Sequence, residues 1–403
     1  MFNIIIKLAW NNAFLRLSRT ILVILMIAIS MAMMLSIQGI YDGMTLNMID
    51  KTLRSDSGEI SLYHKNYRLD KNLKHNIKDA SQIQTFLQTN NEIEYITKRL
   101  SVEGLSATAR KSAFSNVIGI NLENEIAFGQ FNQFLKKGDM SFRKRGALLG
   151  SELAKTLKVN IGSKIIFSTQ DHSGDINSIA VRVRGIVQTS NIALDASAVY
   201  VDLKQVQKFL GVNNQMATQI AIRTHSQTLL KELKNKYPEL DVKNFLELYP
   251  MLKQMKDMMV IFTSITFLIV MLVVLIGITG VMYVSILDRI REFGIMRALG
   301  MSYQNIRYQI FLEAFLVGLT GYILGAILGF STLYYLQNYG LNLSQYSEGM
   351  ESFGMDTIIY AQMNISYFTS TFYAIITASL LSVLLPLIKI KKLNPIDVIK
   401  AET

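Results

Sequence analysis

Four stretches of the chain contain no Asp, Glu, Lys or Arg: residues 20–41, 258–287, 314–347 and 357–388. A helix crosses a hydrocarbon core of ~30 Å with about 20 residues at ~1.5 Å each. The pattern therefore predicts four membrane-spanning helices, at 20–41, 259–284, 314–337 and 366–388. Gly318, Gly321, Gly325 and Gly329 dilute the third. The apolar run at 21–41, "ILVILMIAISMAMMLSIQGIY", exceeds the about 7–15 residues typical of a cleavable signal, so it reads as a retained anchor. Ahead of it, residues 1–19 mix Ile4, Ile5, Ile6, Leu8, Trp10, Phe14 and Leu15 with Lys7, Arg16 and Arg19. That mixture predicts a helix in the membrane interface, anchored by Trp10.

The segment 42–257 alternates differently. "GEISLYH" (58–64) and "IEYITKRLSVEGL" (93–105) read as strands around a helix at 77–89. "QIAIRT" and "LDVKNF" read as strands around the helix "QTLLKELKNKY". Two such units about 110 residues apart predict one split α/β subdomain, 45–105 and 215–257, carrying a second as an insertion, 106–214. Turn formers Asp171, Gly174, Asp175 and Asn177 predict a hairpin tip near 170–177. At both ends the spans run on outward as stalks. "DGMTLNMIDKTLRS" keeps helical spacing after Tyr41, and 251–287 predicts a helix of about 55 Å.

Charge sets the orientation. Lys7, Arg16 and Arg19 precede the first span, Arg289, Arg291, Arg297 and Arg307 separate the second from the third, and Lys389, Lys391, Lys392 and Lys400 follow the fourth. The positive-inside bias puts these flanks in the cytoplasm and 42–257 outside it. That leaves a coupling region at 285–313, a second outer loop at 338–365 and a cytoplasmic tail at 389–403. The net charge of +11 is then at least partly topological, and no nucleic-acid binding is read from it. Half of the 403 residues are hydrophobic and none is cysteine, which excludes thiolate ligation and cysteine nucleophiles. An outer domain of this kind folds on its core alone.

No catalytic or metal-binding motif is present: GxxxxGK[ST], HExxH and GxSxG are all absent. His64, His75, His172 and His225 are scattered, and Glu92/Glu94 and Glu123/Glu125 read as solvated pairs rather than a general acid–base couple. Gly321, Gly325 and Gly329 repeat every four residues on one face of the third span, the spacing of close helix packing; the reading is contact with the fourth span, over a dimer contact. "REFGIMRALG" (291–300) follows the second span directly, with apolar residues and charges on several sides. A helix lying on lipid is better segregated, so this one reads as gripped by another protein on the cytoplasmic side, with packing inside the chain itself as the alternative.

"RIREFGIMRALGMSYQNIRYQIFLEAFLVGLTGYILGAILG" (289–329) resembles the coupling segment and third span of MacB-like, or FtsX-like, ABC transporter permeases, and "IKKLNPIDVIKAE" resembles their basic C-terminal end. "LAWNNAFLRLSRT", "TKRLSVEGL", "NVIGINLENE", "LLGSELAKTLKVNIGSKI" and "VRGIVQTS" are similar to the lipoprotein-releasing LolC/LolE branch.

The resemblance implies an integral membrane protein of four transmembrane helices with a large periplasmic α/β domain of two subdomains between helices 1 and 2. It implies a non-catalytic inner-membrane subunit pairing with a second permease copy or paralogue. A cytoplasmic ABC ATPase dimer would bind the ATP and Mg, and its closure would travel up the stalks to expel an acylated lipoprotein from membrane lipid toward a periplasmic carrier. Docking maps onto Arg289, Arg291, Glu292, Arg297 and Gly300. The lipoprotein cavity maps by position onto Met34, Ile37, Ile40 and Tyr41 with Met258, Val260 and Ile261. The LolC-type carrier hook would correspond to 168–178, with Asp171, His172, Gly174 and Asp175, but "STQDHSGDINS" is short and lacks proline, Arg and Lys. Alternatives within the family are an exporter of peptides, toxins or lipids and an FtsX-like regulator of a cell-wall hydrolase.

Overall fold

The computed structural model describes residues 2–13, 17–170, 174–189, 191–226, 228–346, 349–350 and 356–391. The chain divides into two units: Met1–Met44 with Lys256–Asn342 and Ile358–Thr403, and Thr45–Met255 with Leu343–Thr357. The chain opens with α1 (Phe2–Ala13) and α2 (Leu17–Thr52), the latter running on into a π-helical turn at Leu53–Ser57. The alternating segment follows. β1 (Ile60–His64), α3 (Ala80–Leu87) and β2 (Ile93–Ala107) lead into β3 (Ser112–Ile120), α4 (Leu122–Gly129), β4 (Leu135–Gly138), β5 (Gly146–Gly150) and α5 (Ser151–Leu157). Then come β6 (Lys164–Gln170), β7 (Ile176–Val187), β8 (Ala198–Asp202), α6 (Leu203–Phe209), β9 (Gln219–Thr224), α7 (Leu229–Lys236) and β10 (Leu240–Asn244).

The α/β unit has two parts joined by one strand. Antiparallel β10-β1-β9-β2 forms the first, its core built from Ile60, Leu62, Ile96, Ile220 and Ile222 with Leu87, Leu229 and Leu233 from α3 and α7. In the second part β2, β3, β8, β5, β7 and β6 pair in succession, and β6 returns to β2, closing a ring. Closure leaves none of these six strands as an open edge. Alternate positions point opposite ways, so Val117, Leu149, Val199 and Val201 enter one core, while Ile118, Leu148 and Tyr200 meet Phe131 and Phe134 in another.

The expected boundary at 105/106 lies earlier. β2 pairs with β9 through Arg99 and with β3 from Leu100 onward, so the strand belongs to both parts. The β6–β7 hairpin pairs as far as Gln170 with Ile176; residues 171–173 lie outside the described residues.

The helical unit is completed by α8 (Pro250–Asp288), α9 (Ile290–Ala298), α10 (Tyr303–Tyr339), α11 (Ile365–Ser382) and α12 (Leu384–Lys391). Four helices are long and apolar enough to cross a membrane. At 39 residues α8 extends about 58 Å, well beyond a bilayer core. Contacts follow rows of four: Val23, Ile27, Met31 and Leu35 on α2, and Val274, Ile278, Met282 and Ile286 on α8, are all buried in one core.

The glycine row of α10 meets the α2 row rung by rung. A Cβ on Gly321 would lie 2.9 Å from Ile27, one on Gly325 2.9 Å from Met31, and one on Gly329 against Leu35. The expectation that this stripe faces the fourth span is therefore corrected: it faces the first. Gly318, about two turns before Gly325 on the helix, meets Ser379 of α11 instead. Two matched four-residue repeats let the α2 side chains sit in the gaps left by the missing Cβ atoms.

Gly325→Leu should lower the detergent-solubilised protein's stability by about 1–3 kcal/mol through overpacking. Gly280→Leu, where an added Cβ meets nothing within 4 Å, should leave it unchanged. Equal thermal melting curves for the two variants would refute the packing role of the stripe.

Candidate functional site

The break between α8 and α9 falls at Arg289, which is turned out of helical geometry with φ −110° and ψ 14°. The residue is 7% exposed. Nη1 donates to both carboxylate oxygens of Glu313 on α10 at 3.1 Å, Nε donates to Glu292 at 3.0 Å, and the group lies over the Phe293 ring. Glu313, itself 3% exposed, also accepts from Gln309 at 3.1 Å. Beside this cluster lies a cavity of about 280 Å³ lined by Asn12, Arg19, Asp288, Arg289, Glu292 and Glu313, with Arg19 paired to Asp288 at 2.6 Å. Arg289 was expected on the docking surface. The structure instead uses it to key α9 to α10, because a buried guanidinium between two helices needs a carboxylate partner.

Past that joint α9 has two faces. Phe293 and Gly294 are buried, whereas Arg291 and, four, seven and eight positions after it, Ile295, Ala298 and Leu299 are exposed on one side of the helix. Leu299 is 83% exposed. Glu292 is exposed beside this face, and Arg297 is half-buried. Gly300 adopts φ +88°, its N–H donates to Arg297 O, and Met301 N–H donates to Met296 O. This paired C-terminal turn needs a residue free to be left-handed, so Gly300 acts by reversing the chain into α10 rather than by contact. Ser302 then caps α10 by accepting from Asn305 N–H. The sequence reading missed Ile295 and Leu299; their signal was the four-residue spacing from Arg291.

The expected lipid-facing set divides. Met258, Val260 and Ile261 are exposed on α8, continuous with Ile265, Leu268, Ile269, Leu272 and Ile276. Only 6% of the most apolar window of α8 is buried within the chain, against 44% for α2, so α8 leaves a full apolar flank uncovered. On α2 the exposed row is Leu22, Leu25, Ile29 and Met33. Met34 is buried among Met31, Phe267, Met271 and Ile375, which corrects its assignment to an open cavity; one position is 100° of helix turn. Ile37, Ile40 and Tyr41 are half-buried. Gly174 and Asp175 are exposed at the hairpin, while Asp171 and His172 lie outside the described residues.

Two further corrections concern charges and rings. His64 and His75, read as scattered, stack with ring centroids 5.2 Å apart, because the loop after β1 folds back, and His75 also meets Asp70 at 3.1 Å. Among the described residues no group of three or more side chains is arranged to hold a metal ion. Glu125, read as solvated, is 1% exposed and takes two hydrogen bonds of 2.7 Å from Arg99.

Residues 20–239 match the MacB-like periplasmic core domain, and residues 264–395 match the FtsX-like permease C-terminal domain. The chain is 26% identical over 249 residues to the lipoprotein-releasing system transmembrane protein LolC of Buchnera aphidicola, covering 59% of this chain and 60% of that one. It is 24% identical over 277 residues to the corresponding LolE of Haemophilus influenzae, covering 66% and 65%. The chain thus spans under two thirds of the length of these curated relatives. Among solved structures, the periplasmic region of MacB from Actinobacillus actinomycetemcomitans aligns with 48% of this chain and 92% of its own, at 16% identity and a TM-score of 0.34.

Proposed function

The chain belongs to the family of MacB-like and FtsX-like ABC transporter permeases, and from that premise we propose that it is the membrane subunit of a transporter releasing lipoproteins from a bacterial inner membrane. Its partner is a cytoplasmic ATPase dimer that binds ATP and Mg, seated on Arg291, Ile295, Ala298 and Leu299 of α9. A second permease copy or paralogue covers the open flank of α8, and the lipoprotein's acyl chains enter between Met258, Val260 and Ile261 and the Leu22–Met33 row. Both termini are cytoplasmic, the α/β domain is periplasmic, and a soluble carrier receives the product.

The observation that carries this reading is the continuity of α8. One unbroken helix, Pro250–Asp288, links the α/β domain to the Arg289 joint and so to α9. A push on α9 then moves a rigid rod rather than a loop. Extracting acyl chains costs ~0.8 kcal/mol per CH₂, which calls for ATP hydrolysis and an apolar surface to receive them. The lipoprotein substrate is supported by the likeness to LolC and LolE, whose names describe lipoprotein release.

Purification from the native membrane with mass spectrometry of bound proteins tests the reading. The expected result is an ABC ATPase together with acylated lipoproteins. An ATPase with a periplasmic adaptor makes the chain an exporter of peptides, toxins or lipids instead. An ATPase with a cell-wall hydrolase makes it a regulator, and no ATPase at all overturns the proposal.

A further inference from the structure

Where the first stalk ends and the second begins, the α/β unit holds a buried cluster that the sequence did not announce. Asp56 lies in the turn that terminates α2, and Tyr249 immediately precedes Pro250, the first residue of α8. The Tyr249 hydroxyl donates to one Asp56 carboxylate oxygen, and Arg99 Nη1 reaches the other at 3.2 Å and the Asp56 backbone carbonyl as well. Arg99 also gives Nε and Nη2 to the two oxygens of Glu125 on α4, and Thr97 donates to Glu125 at 2.9 Å. Gln219 on β9 donates to the Asp56 carbonyl at 3.3 Å and to Ser61 at 3.2 Å. Arg99 is the residue at which β2 passes from the first sheet into the ring. A Cβ on Gly129, at the end of α4, would run into the Arg54 carbonyl, so α4 sits directly on the turn below α2.

One guanidinium therefore touches, directly or through Asp56, both stalk ends and both parts of the α/β domain. Burial works against the charge on Arg99, but the charge and hydrogen bonding of Glu125 together with the charge of Asp56 carry the group above its ordinary range. Burial first, and Asp56 next, push the Tyr249 hydroxyl well above its ordinary range, so it stays a donor. Such a network is rigid only when every member is satisfied, and losing one bond frees one element from the rest. We propose that Arg99, Asp56, Glu125 and Tyr249 form a joint that locks the roots of the two stalks to each other and to both parts of the α/β domain, so that movement of either stalk is delivered to the whole domain at once. Arg99 is a positioning residue: it fixes Asp56, which grips Tyr249. This role rests on the transmission reading above.

The test uses the full chain, whose lack of cysteine allows clean labelling. Spin labels at the exposed positions Leu46→Cys and Met251→Cys report the separation of the two stalks in the detergent-solubilised protein. Without Tyr249→Phe the distance distribution should be narrow; with it, broad. In the complex with its ATPase, Tyr249→Phe should keep ATP hydrolysis within twofold while lipoprotein released per ATP falls at least tenfold, a split that simple unfolding would not produce. Asp56→Asn retains an oxygen for Tyr249 but loses the charge facing Arg99, and should broaden the distribution less. A narrow distribution and an unchanged release ratio in Tyr249→Phe would overturn the joint. A distribution broadened by Tyr249→Phe, together with no lipoprotein release by the protein that retains Tyr249, would sustain the joint and refute the lipoprotein function.

Discussion

Replacing Glu313 with alanine should strip most of the protein from the membrane fraction. The substitution leaves the Arg289 guanidinium in the bundle with, among the described residues, Glu292 as its one carboxylate partner, which is exposed and contributes at most about 1 kcal/mol. Breaking a buried pair by removing one partner costs about 3–5 kcal/mol, against a total stability of about 5–15 kcal/mol for an ordinary domain. Removing both charges is a different experiment. Arg289→Met with Glu313→Leu should restore accumulation, because the buried ions and their desolvation disappear together. It should not restore ATP-driven release, since the key between α9 and α10 is gone. Immunoblots of membrane fractions and melting curves in detergent separate the two effects. Wild-type stability in the single variant would show that Arg289 is solvated or paired elsewhere.

The second large effect is expected at the outer face of α9. Leu299→Asp should abolish co-purification of the ATPase while leaving accumulation and melting unchanged. At 83% exposure the leucine contributes almost nothing to the fold. A desolvated anchor in a protein interface, however, is typically worth 2 kcal/mol or more, about 30-fold in affinity. An aspartate there also brings an unpaired charge into the contact. Arg297→Glu, at a half-buried position on the flank, should weaken the ATPase less and reduce its stimulation. If Leu299→Asp retains the ATPase and Arg297→Glu loses it, the docking face lies nearly half a turn further round the helix.

The four spans and the mixed α/β domain were legible in the sequence because charge-free runs and alternating strands are properties of single elements. What was not legible depends on which element lies opposite. The repeat at Gly321, Gly325 and Gly329 states that something approaches closely, but only the matching repeat at Ile27, Met31 and Leu35 identifies it as the first span. Both repeats were readable; their pairing was not. Met34 and Met33 are equally apolar, and a rotation of one residue decides which is buried. Arg289 and Glu125 carry no local mark of burial, since their partners lie 24 and 26 residues away. Charged residues default to the surface in a sequence reading, and that default fails where a partner is supplied by another element.

The sharing of β2 between two sheets has a consequence for how the domain comes into being. Its second half pairs with β3 after a turn of a few residues, and β5 to β8 can complete the ring from nearby chain. Its first half, and all of β1, have no strand to pair with until β9 is made. From His64 to Gln219 the chain grows by roughly 155 residues, about 8–30 s of synthesis at ~5–20 residues per second. Throughout that interval Ile60 and Leu62, joined by Ile96 once β2 is made, are apolar strand residues without a sheet. The insertion is thus a finished template that holds half of β2 in register; the arrival of β9 joins β1 to β2 and brings Gln219 to Arg99, and β10 then completes the first sheet.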